Sequence, residues 1–271
     1  MQYTNAAIRG AIATTAARFG GPAAETIIGE NERKHLREVR DIAAAGRDAH
    51  VVDLGGGVGV NFLVLRELGH AGRLVLVERF DEYDDGNRMG SRQHALSLLE
   101  RAGVEVLQVD FWPDCHLELD DASFDVACCY DVIEHLPGHP LRQLRELHRL
   151  LRGGGRILIG APNAASLMKR VKLMAGRQPY SGYEDWVSDR YFEHYREYLR
   201  GEYQDLLVRA GFSDVRSDYS AAVTYSRARH SHHRRRRPRL SPVSLALLAV
   251  AAAEWLAPPL RHTVYAEGRK R

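Results

Sequence analysis

Short apolar runs alternate with longer amphipathic segments through the first two thirds of the chain. Five runs have the length and composition of buried β-strands, at residues 51–54, 74–77, 104–109, 124–130 and 156–160. The segments between them carry apolar residues at helical spacing, as in 141–151, where leucines fall on one face. Strands that alternate with helices in this way predict an α/β fold with a doubly wound, mainly parallel sheet.

Three segments depart from this alternation. Residues 1–31 are rich in alanine and weakly helical, which predicts an N-terminal helical extension before a main domain at 32–271. An insertion at 161–198 follows the fifth strand and combines a basic amphipathic helix with a cluster of tyrosines. A second insertion, 226–260, joins an arginine run to an apolar segment rich in alanine and leucine. We expect both insertions to be additions to one large domain.

Charge is distributed unevenly along the chain. The formal net charge is +3, yet seven arginines lie between residues 227 and 239, so the rest of the chain is slightly acidic. Only three cysteines occur, without paired or zinc-binding spacing, which predicts a reducing cytoplasmic environment. The first residues have neither a basic start nor a continuous apolar stretch, so the sequence predicts no signal peptide.

The candidate chemistry begins where the first strand ends. Asp53 lies at that end, and Gly55, Gly57 and Gly59 follow at alternate positions. Glycine lets the backbone turn sharply and approach a ligand without an intervening Cβ. The dinucleotide fingerprint G-x-G-x-x-G does not fit, because large apolar residues stand where its last glycine is needed. The lysine and hydroxyl pair of a phosphate-binding loop is also missing.

This loop resembles the Asp-x-Gly-x-Gly-x-Gly loop of class I S-adenosylmethionine-dependent methyltransferases. Other segments match that family in the same order. An acid follows the second strand, and an Asp-Phe pair follows the third. The block 131–136 follows the fourth strand, and a helix, Gly turn and fifth strand come next at 147–160. The resemblance covers roughly residues 32–218 and a closing strand near 263–268. It implies a seven-stranded Rossmann-like sheet with an antiparallel last strand, and methyl transfer from S-adenosylmethionine.

The resemblance also implies roles for individual residues. It places the glycine loop and Asp53 under the cofactor, Glu78 on the ribose hydroxyls and Asp131 beside the methionine half. In the family, Asp110 accepts a hydrogen bond from the adenine amino group and Phe111 packs on the ring. Taken alone, Asp110 also fits a loop cap, and Phe111 fits a core position as well as a cofactor platform.

The block after the fourth strand is a candidate for acceptor chemistry. A hydroxyl acceptor benefits from a base as its proton becomes acidic, and His135 is the candidate base. The same block resembles the metal-binding Glu-x-x-Glu-His of ubiquinone-biosynthesis O-methyltransferases and small-RNA 2′-O-methyltransferases. Asp131 departs from that pattern at its first position and no fourth ligand is evident, so we predict no metal.

Three functions are compatible with these patterns. The first is O-methylation of a small molecule or glycan, since the order of 161–163, the basic helix and 194–198 resembles bacterial methyltransferases of polysaccharide and natural-product pathways. The second is a membrane-associated quinone or lipid methyltransferase. The third is a non-enzymatic nucleotide- or nucleic-acid-binding module, which the intact acids of the cofactor pattern disfavour.

The arginine run predicts a partner with negative charge. It includes Arg234, Arg235, Arg236 and Arg237, and an apolar segment at 243–257 follows it. This combination suits peripheral contact with acidic lipid at the inner membrane surface, although the segment is shorter than the ~20 apolar residues of a bilayer span. Nucleic acid is a competing partner, disfavoured because no base-reading motif is present. A surface loop before a helix packed on the sheet also fits.

Overall fold

The computed structural model describes residues 3–81, 91–179, 194–221, 249–250 and 252–271. Seven strands form one sheet in the order β3-β2-β1-β4-β5-β7-β6. They are β1 (Val51–Leu54), β2 (Leu74–Val77), β3 (Glu105–Leu107), β4 (Phe124–Tyr130), β5 (Leu151–Pro162), β6 (Ser213–Ser220) and β7 (Thr263–Arg269). The first five are parallel, and β7 runs antiparallel between β5 and β6. The predicted fold class is therefore confirmed.

Helices cover both faces of the sheet. The α-helices are α1 (Asn5–Phe19), α2 (Gly21–Glu25), α3 (Glu32–Ala43), α4 (Val60–Glu67), α5 (Arg92–Arg101), α6 (Leu141–Leu150), α7 (Leu167–Met174) and α8 (Arg200–Arg209). A π-helical turn spans Thr26–Glu30, and 3-10 turns span Ile133–His135 and Pro258–Leu260. Residues 252–256 are also helical.

Alternate residues of the central strands pack in two separate hydrophobic cores. Val51 packs in the core beneath α1, α3, α4 and α5, whereas Val52 and Leu54 pack in the core beneath α6 and α8. Successive side chains of a strand point to opposite faces, so a strand covered on both faces must be apolar throughout. This explains why β1 and β2 appear in the sequence as continuous apolar runs.

The segment predicted as an N-terminal extension takes part in the first of these cores. Ile8 and Ile12 of α1 are buried against α3 and α4. The helix begins at Thr4, whose hydroxyl accepts a hydrogen bond from the amide of Ala7 at 3.1 Å. Helix α1 therefore packs against and supports α3, whose polar residues border the site described below.

The order of the strands reverses between β1 and β4, since β1 pairs with β2 on one side and with β4 on the other. In open parallel sheets, a ligand crevice forms at such a reversal, outside the carboxyl ends of the strands. The loop after β1, the end of β2 and the 3-10 turn after β4 all lie at this edge.

The arginine run at 234–237 lies outside the described residues. Within the described part of the chain, no helix combines the length and apolar character needed to cross a bilayer.

Candidate cofactor and acceptor site

The loop after β1 requires its alternate glycines. Gly55, Gly57 and Gly59 have φ values of 73°, 60° and 73°, in the left-handed region that side chains with a Cβ avoid. A Cβ on Gly55 would also collide with the side chain of Val132, which follows β4. The structure therefore brings together the three glycines that the sequence singles out, in a bend that passes close to the β4 end.

Glu78, which follows β2, is hydrogen-bonded to this loop. Its Oε2 accepts a hydrogen bond from the amide of Gly57 at 2.9 Å, and its Oε1 accepts one from the amide of Arg79 at 2.9 Å. Burial raises the pKa of Glu78, and the amides of Gly57, Arg79 and Phe80 oppose that rise. A carboxylate has about four acceptor positions and three amides contact this one, so Glu78 keeps capacity for about one further donor.

Asp53 lies buried beneath the same loop. A Cβ on Gly56 would come within 2.5 Å of Asp53 Oδ2, so only glycine lets the carboxyl group lie against the backbone there. Asp53 Oδ1 has no hydrogen-bond partner among the described residues. Burial raises the pKa of Asp53 to about 8, with further contributions from the negative charges of Glu38 and Glu78. An unpaired buried oxygen at this position is compatible with a ligand that donates a hydrogen bond or carries positive charge.

Asp110 and Phe111 follow β3 but differ in exposure. The Asp110 side chain is 55% exposed; its Oδ1 accepts from the amide of Trp112 at 2.9 Å, and its Oδ2 lies 3.5 Å from an Arg79 guanidinium nitrogen. Phe111 is buried in the core beneath α6 and α8. The structure thus places Asp110 in a loop turn at the site edge and Phe111 in the core.

A buried polar network from α3 borders the opposite wall. Lys34 pairs with Asp131, and Glu38 accepts hydrogen bonds from Asn61 Nδ2 at 2.9 Å and from the Tyr265 hydroxyl at 3.1 Å. Burial raises the pKa of Glu38 to about 7, and the charge of Lys34 opposes that rise. Neither Lys34 nor Glu38 was predicted from the sequence. Their signal is a lysine and an acid four residues apart in a helix whose buried positions are otherwise largely apolar.

A cluster of titratable side chains surrounds the turn after β4. Glu134 and His135 lie in that turn, and His194 approaches them from the first insertion. One ligand-type atom from each of these three residues lies within 4.8 Å of the others. The rings of His135 and His194 meet edge to face with centroids 4.6 Å apart. His194 was not predicted as a site residue, because nothing in the local pattern connects it to residues sixty positions earlier.

The whole edge is rich in carboxyl groups. Asp53, Glu78, Asp131 and Glu134 all lie at the carboxyl ends of β1, β2 and β4, and among the described residues Lys34 pairs with Asp131. Carboxyl groups in a cleft attract a cationic ligand, and the charge of that ligand favours their ionised form. The arrangement therefore suits a ligand with a cationic centre and several hydroxyl groups.

Comparisons with known proteins bear on the family and the fold of the chain. A family model described as a methyltransferase domain matches residues 28–217, which is more than half of the chain. Proteins from two strains of Mycobacterium tuberculosis, described as probable S-adenosylmethionine-dependent methyltransferases, are 36% identical over 113 residues. That match spans 41% of this chain and 34% of each relative, so the chain matches about a third of the length of these curated relatives.

Solved structures share the fold. A methyltransferase from Archaeoglobus fulgidus superposes with a TM-score of 0.55 at 16% identity, covering 91% of this chain and 97% of that one. Phosphoethanolamine N-methyltransferase 2 of Haemonchus contortus, solved with S-adenosylmethionine, gives a TM-score of 0.58 at 16% identity and covers 100% of this chain and 58% of that one. At these identities the likeness establishes the fold alone.

Proposed function

Because this chain belongs to the family of S-adenosylmethionine-dependent methyltransferases, we propose that it methylates a hydroxyl oxygen of a small molecule or glycan. When bound, the cofactor supplies a methyl group activated by the positive charge on sulfur. The acceptor oxygen then forms the new bond to carbon, the sulfur keeps the electron pair of the broken bond, and the hydroxyl proton is released. The protein's task is to align the two reactants and to assist the loss of that proton.

The residues at the β1 and β2 ends fit the cofactor. The bend of Gly55, Gly57 and Gly59 leaves no side chain between backbone and ligand, and the buried oxygen of Asp53 is unpaired among the described residues. We assign the remaining acceptor capacity of Glu78 to the ribose hydroxyls. We assign Asp110 to the adenine amino group, Phe111 to the inner wall behind the ring, and Asp131 to the methionine half.

The choice of oxygen as acceptor rests on the two imidazoles beside the β4 turn. An amine needs only to arrive neutral, whereas a hydroxyl must lose a proton during transfer. Burial lowers the pKa of His194, so its ring is neutral at pH 7. We assign His135, which lies next to Asp131 at the same edge, the task of assisting the loss of the hydroxyl proton.

A groove beside this turn supports an acceptor with hydroxyl groups. Its volume is about 500 Å³, and its lining includes Leu136, Pro137, Tyr195, Tyr198 and Glu202. The Tyr195 side chain is half exposed, so it offers an aromatic face for dispersion contact with a sugar ring and a phenol for hydrogen bonds. Two of its lining residues, Leu136 and Tyr195, directly follow His135 and His194 in the sequence, so the groove adjoins the segments that carry the two histidines.

A product screen tests this proposal. Purified protein is incubated with isotopically labelled S-adenosylmethionine and panels of sugar, phenol and amine acceptors, and we expect labelled methyl ethers. His135→Ala is expected to slow the transfer by about 10²- to 10⁴-fold while leaving affinity for S-adenosylhomocysteine unchanged. His116→Ala, at an exposed histidine, is the matched control and is expected to behave as wild type. Methylated amines without any methyl ether would contradict the proposal.

The exposure of Trp255 and Leu256 favours a second candidate, a membrane-associated enzyme acting on a quinone or lipid. These side chains are 69% and 73% exposed, and in the sequence they follow the arginine run. Aromatic and aliphatic side chains beside arginines suit the surface of an acidic bilayer. Vesicle flotation tests it: binding to phosphatidylglycerol vesicles but not to phosphatidylcholine vesicles, reduced in Trp255→Ser/Leu256→Ser, is the expected result. Equal recovery of both proteins in the soluble fraction would contradict it.

A further inference from the structure

The cluster of Glu134, His135 and His194 has the composition of a metal-binding site. It offers one carboxylate oxygen and two imidazole nitrogens, all within 4.8 Å of one another. Ligand atoms that share a cation at about 2.0–2.2 Å lie at most about 4.4 Å apart, so the three side chains need only a small inward movement to bind one ion. Glu134 and His135 come from the turn after β4, whereas His194 comes from the first insertion, so the site exists only when the insertion is folded.

Glu134 is the unusual member of this cluster. Its side chain is fully buried, and neither carboxylate oxygen has a hydrogen-bond partner among the described residues. The nearest ring nitrogen of His135 is 4.0 Å away, which is too long for a hydrogen bond. A buried carboxylate left in this state costs free energy unless it is protonated or meets a cation.

The surroundings of His194 fix which of its nitrogens is available. Its Nδ1 lies 2.8 Å from Oε1 of Glu197, a side chain that is itself 2% exposed. Oε2 of Glu197 pairs with Lys169. The carboxylate therefore holds the proton on Nδ1 and leaves Nε2 as an acceptor. Metal-ligating histidines commonly have such a carboxylate behind them.

We propose that Glu134, His135 and His194 bind a divalent first-row transition cation, with Glu197 positioning His194. Glu197 pairs with Lys169 and Asp131 pairs with Lys34, so the carboxyl group of Glu134 leaves one negative charge for a cation to neutralise. Two imidazoles and a single carboxylate suit zinc, cobalt, manganese or iron rather than magnesium or calcium, which prefer oxygen ligands.

The consequence for catalysis rests on the proposed function. A cation at this position would take the acceptor hydroxyl as a further ligand and lower the pKa of that hydroxyl, so that its proton passes to solvent water. His135 would then assist the loss of the proton as a ligand of the cation. The cation is unchanged by the reaction, so no oxidant or reductant is needed.

Cobalt binding to the full chain tests the site without requiring activity. Chelator-treated protein is titrated with Co²⁺ and followed by its visible absorption and by calorimetry, with Mg²⁺ as the contrasting ion. We expect one tight equivalent of Co²⁺ and no competition by Mg²⁺. Glu197→Gln is expected to weaken binding by about 10- to 100-fold, and His194→Ala by more than that range. Circular dichroism checks that each variant is folded.

The histidines of the second insertion require a matched control. His230→Ala/His232→Ala/His233→Ala removes the three that stand among the arginines in the sequence and is expected to retain the tight equivalent of Co²⁺. Wild-type affinity in His194→Ala, or loss of the tight equivalent in the triple variant, would overturn the proposed site. Calorimetry with S-adenosylhomocysteine on the same samples reports the cofactor pocket separately, so failure of that binding would contradict the proposed function and not the metal site.

Discussion

The glycine edge, residues 53–59 with Glu78, and the acceptor cluster, Glu134 with His135 and His194, are built in opposite ways. At the glycine edge, both oxygens of Glu78 accept amide hydrogen bonds from nearby backbone. In the acceptor cluster, both oxygens of Glu134 lack a hydrogen-bond partner among the described residues. The first region is held in shape by its own backbone, whereas the second is built from side chains that approach from two segments.

The contrast indicates where specificity is located. A region fixed by local backbone geometry serves a ligand that is common to a whole family. A region completed by an insertion can change its ligand when the insertion changes. Variants at the glycine edge should therefore weaken or abolish cofactor binding, whereas variants of the acceptor cluster should affect only transfer and cation binding.

Loss of the glycine bend should have the greatest effect. Gly57→Val puts a β-branched side chain at a φ of 60°, where such residues are strained by about 1–3 kcal/mol. We expect binding of S-adenosylhomocysteine to become undetectable by calorimetry, with a lower melting temperature. Gly10→Ala is the control, because Gly10 lies in helix α1 with open space around its Cβ position, and it should bind as wild type. Normal affinity in Gly57→Val would mean that the pocket is elsewhere.

The pH dependence of stability should come next. Asp53 titrates near 3.8 when unfolded and at about 8 when folded, so between these values the folded chain keeps a proton that the unfolded chain has lost. The contribution of this carboxyl group to the free energy of unfolding is fully present below about pH 4 and is lost as the pH rises through 8. In urea unfolding, the stability of cofactor-free Asp53→Asn should decline less with pH than that of wild type. Asp48→Asn, at an exposed acid, should keep the wild-type slope. Identical slopes in all three proteins would refute the buried carboxyl.

A smaller effect is expected from Glu78→Gln. In this geometry the glutamine oxygen can keep only one of the hydrogen bonds from the amides of Gly57 and Arg79, because the NH2 group is a donor. The side chain also lacks the charge, and a hydrogen bond to a charged group contributes about 1.5–3 kcal/mol. Affinity for S-adenosylhomocysteine should fall by about 10- to 150-fold, as a charged hydrogen bond of that strength implies. Glu105→Gln removes an acid at the sheet edge that pairs with Arg73, and its affinity should be unchanged. Equal affinities of the two variants for S-adenosylhomocysteine would contradict the assignment of Glu78 to the ribose hydroxyls.

Asp110→Ala should have the weakest effect, and it separates a cofactor contact from a loop cap. An adenine contact predicts about 3- to 10-fold weaker binding of S-adenosylhomocysteine, the value of an ordinary hydrogen bond. A loop cap predicts a lower melting temperature with unchanged affinity, since Asp110 accepts from the amide of Trp112. Asp114→Ala, in the same loop and more exposed, is the control for both measurements.

Much of the fold and the bend of the glycine edge could be predicted because their signals are local. Strands covered on both faces are apolar throughout, and a left-handed bend requires glycine, so Val51–Leu54 and Gly55, Gly57 and Gly59 can be recognised without knowing their neighbours. The acceptor cluster was harder to predict from the sequence. Glu134 and His135 are visible as a pair after a strand, but their meeting with His194 depends on how the first insertion folds back.

The alternation of strands and helices, the glycine bend and the acids at the strand ends are all encoded locally. Each of these follows from the conformational limits of a few consecutive residues, so the linear chain is enough to specify them. The burial of Glu38 and Glu134, the core position of Phe111 and the place of Glu197 behind His194 arise only in the folded molecule. Burial and charge pairing are set by elements that approach from distant parts of the chain, and no local pattern of residues encodes that approach.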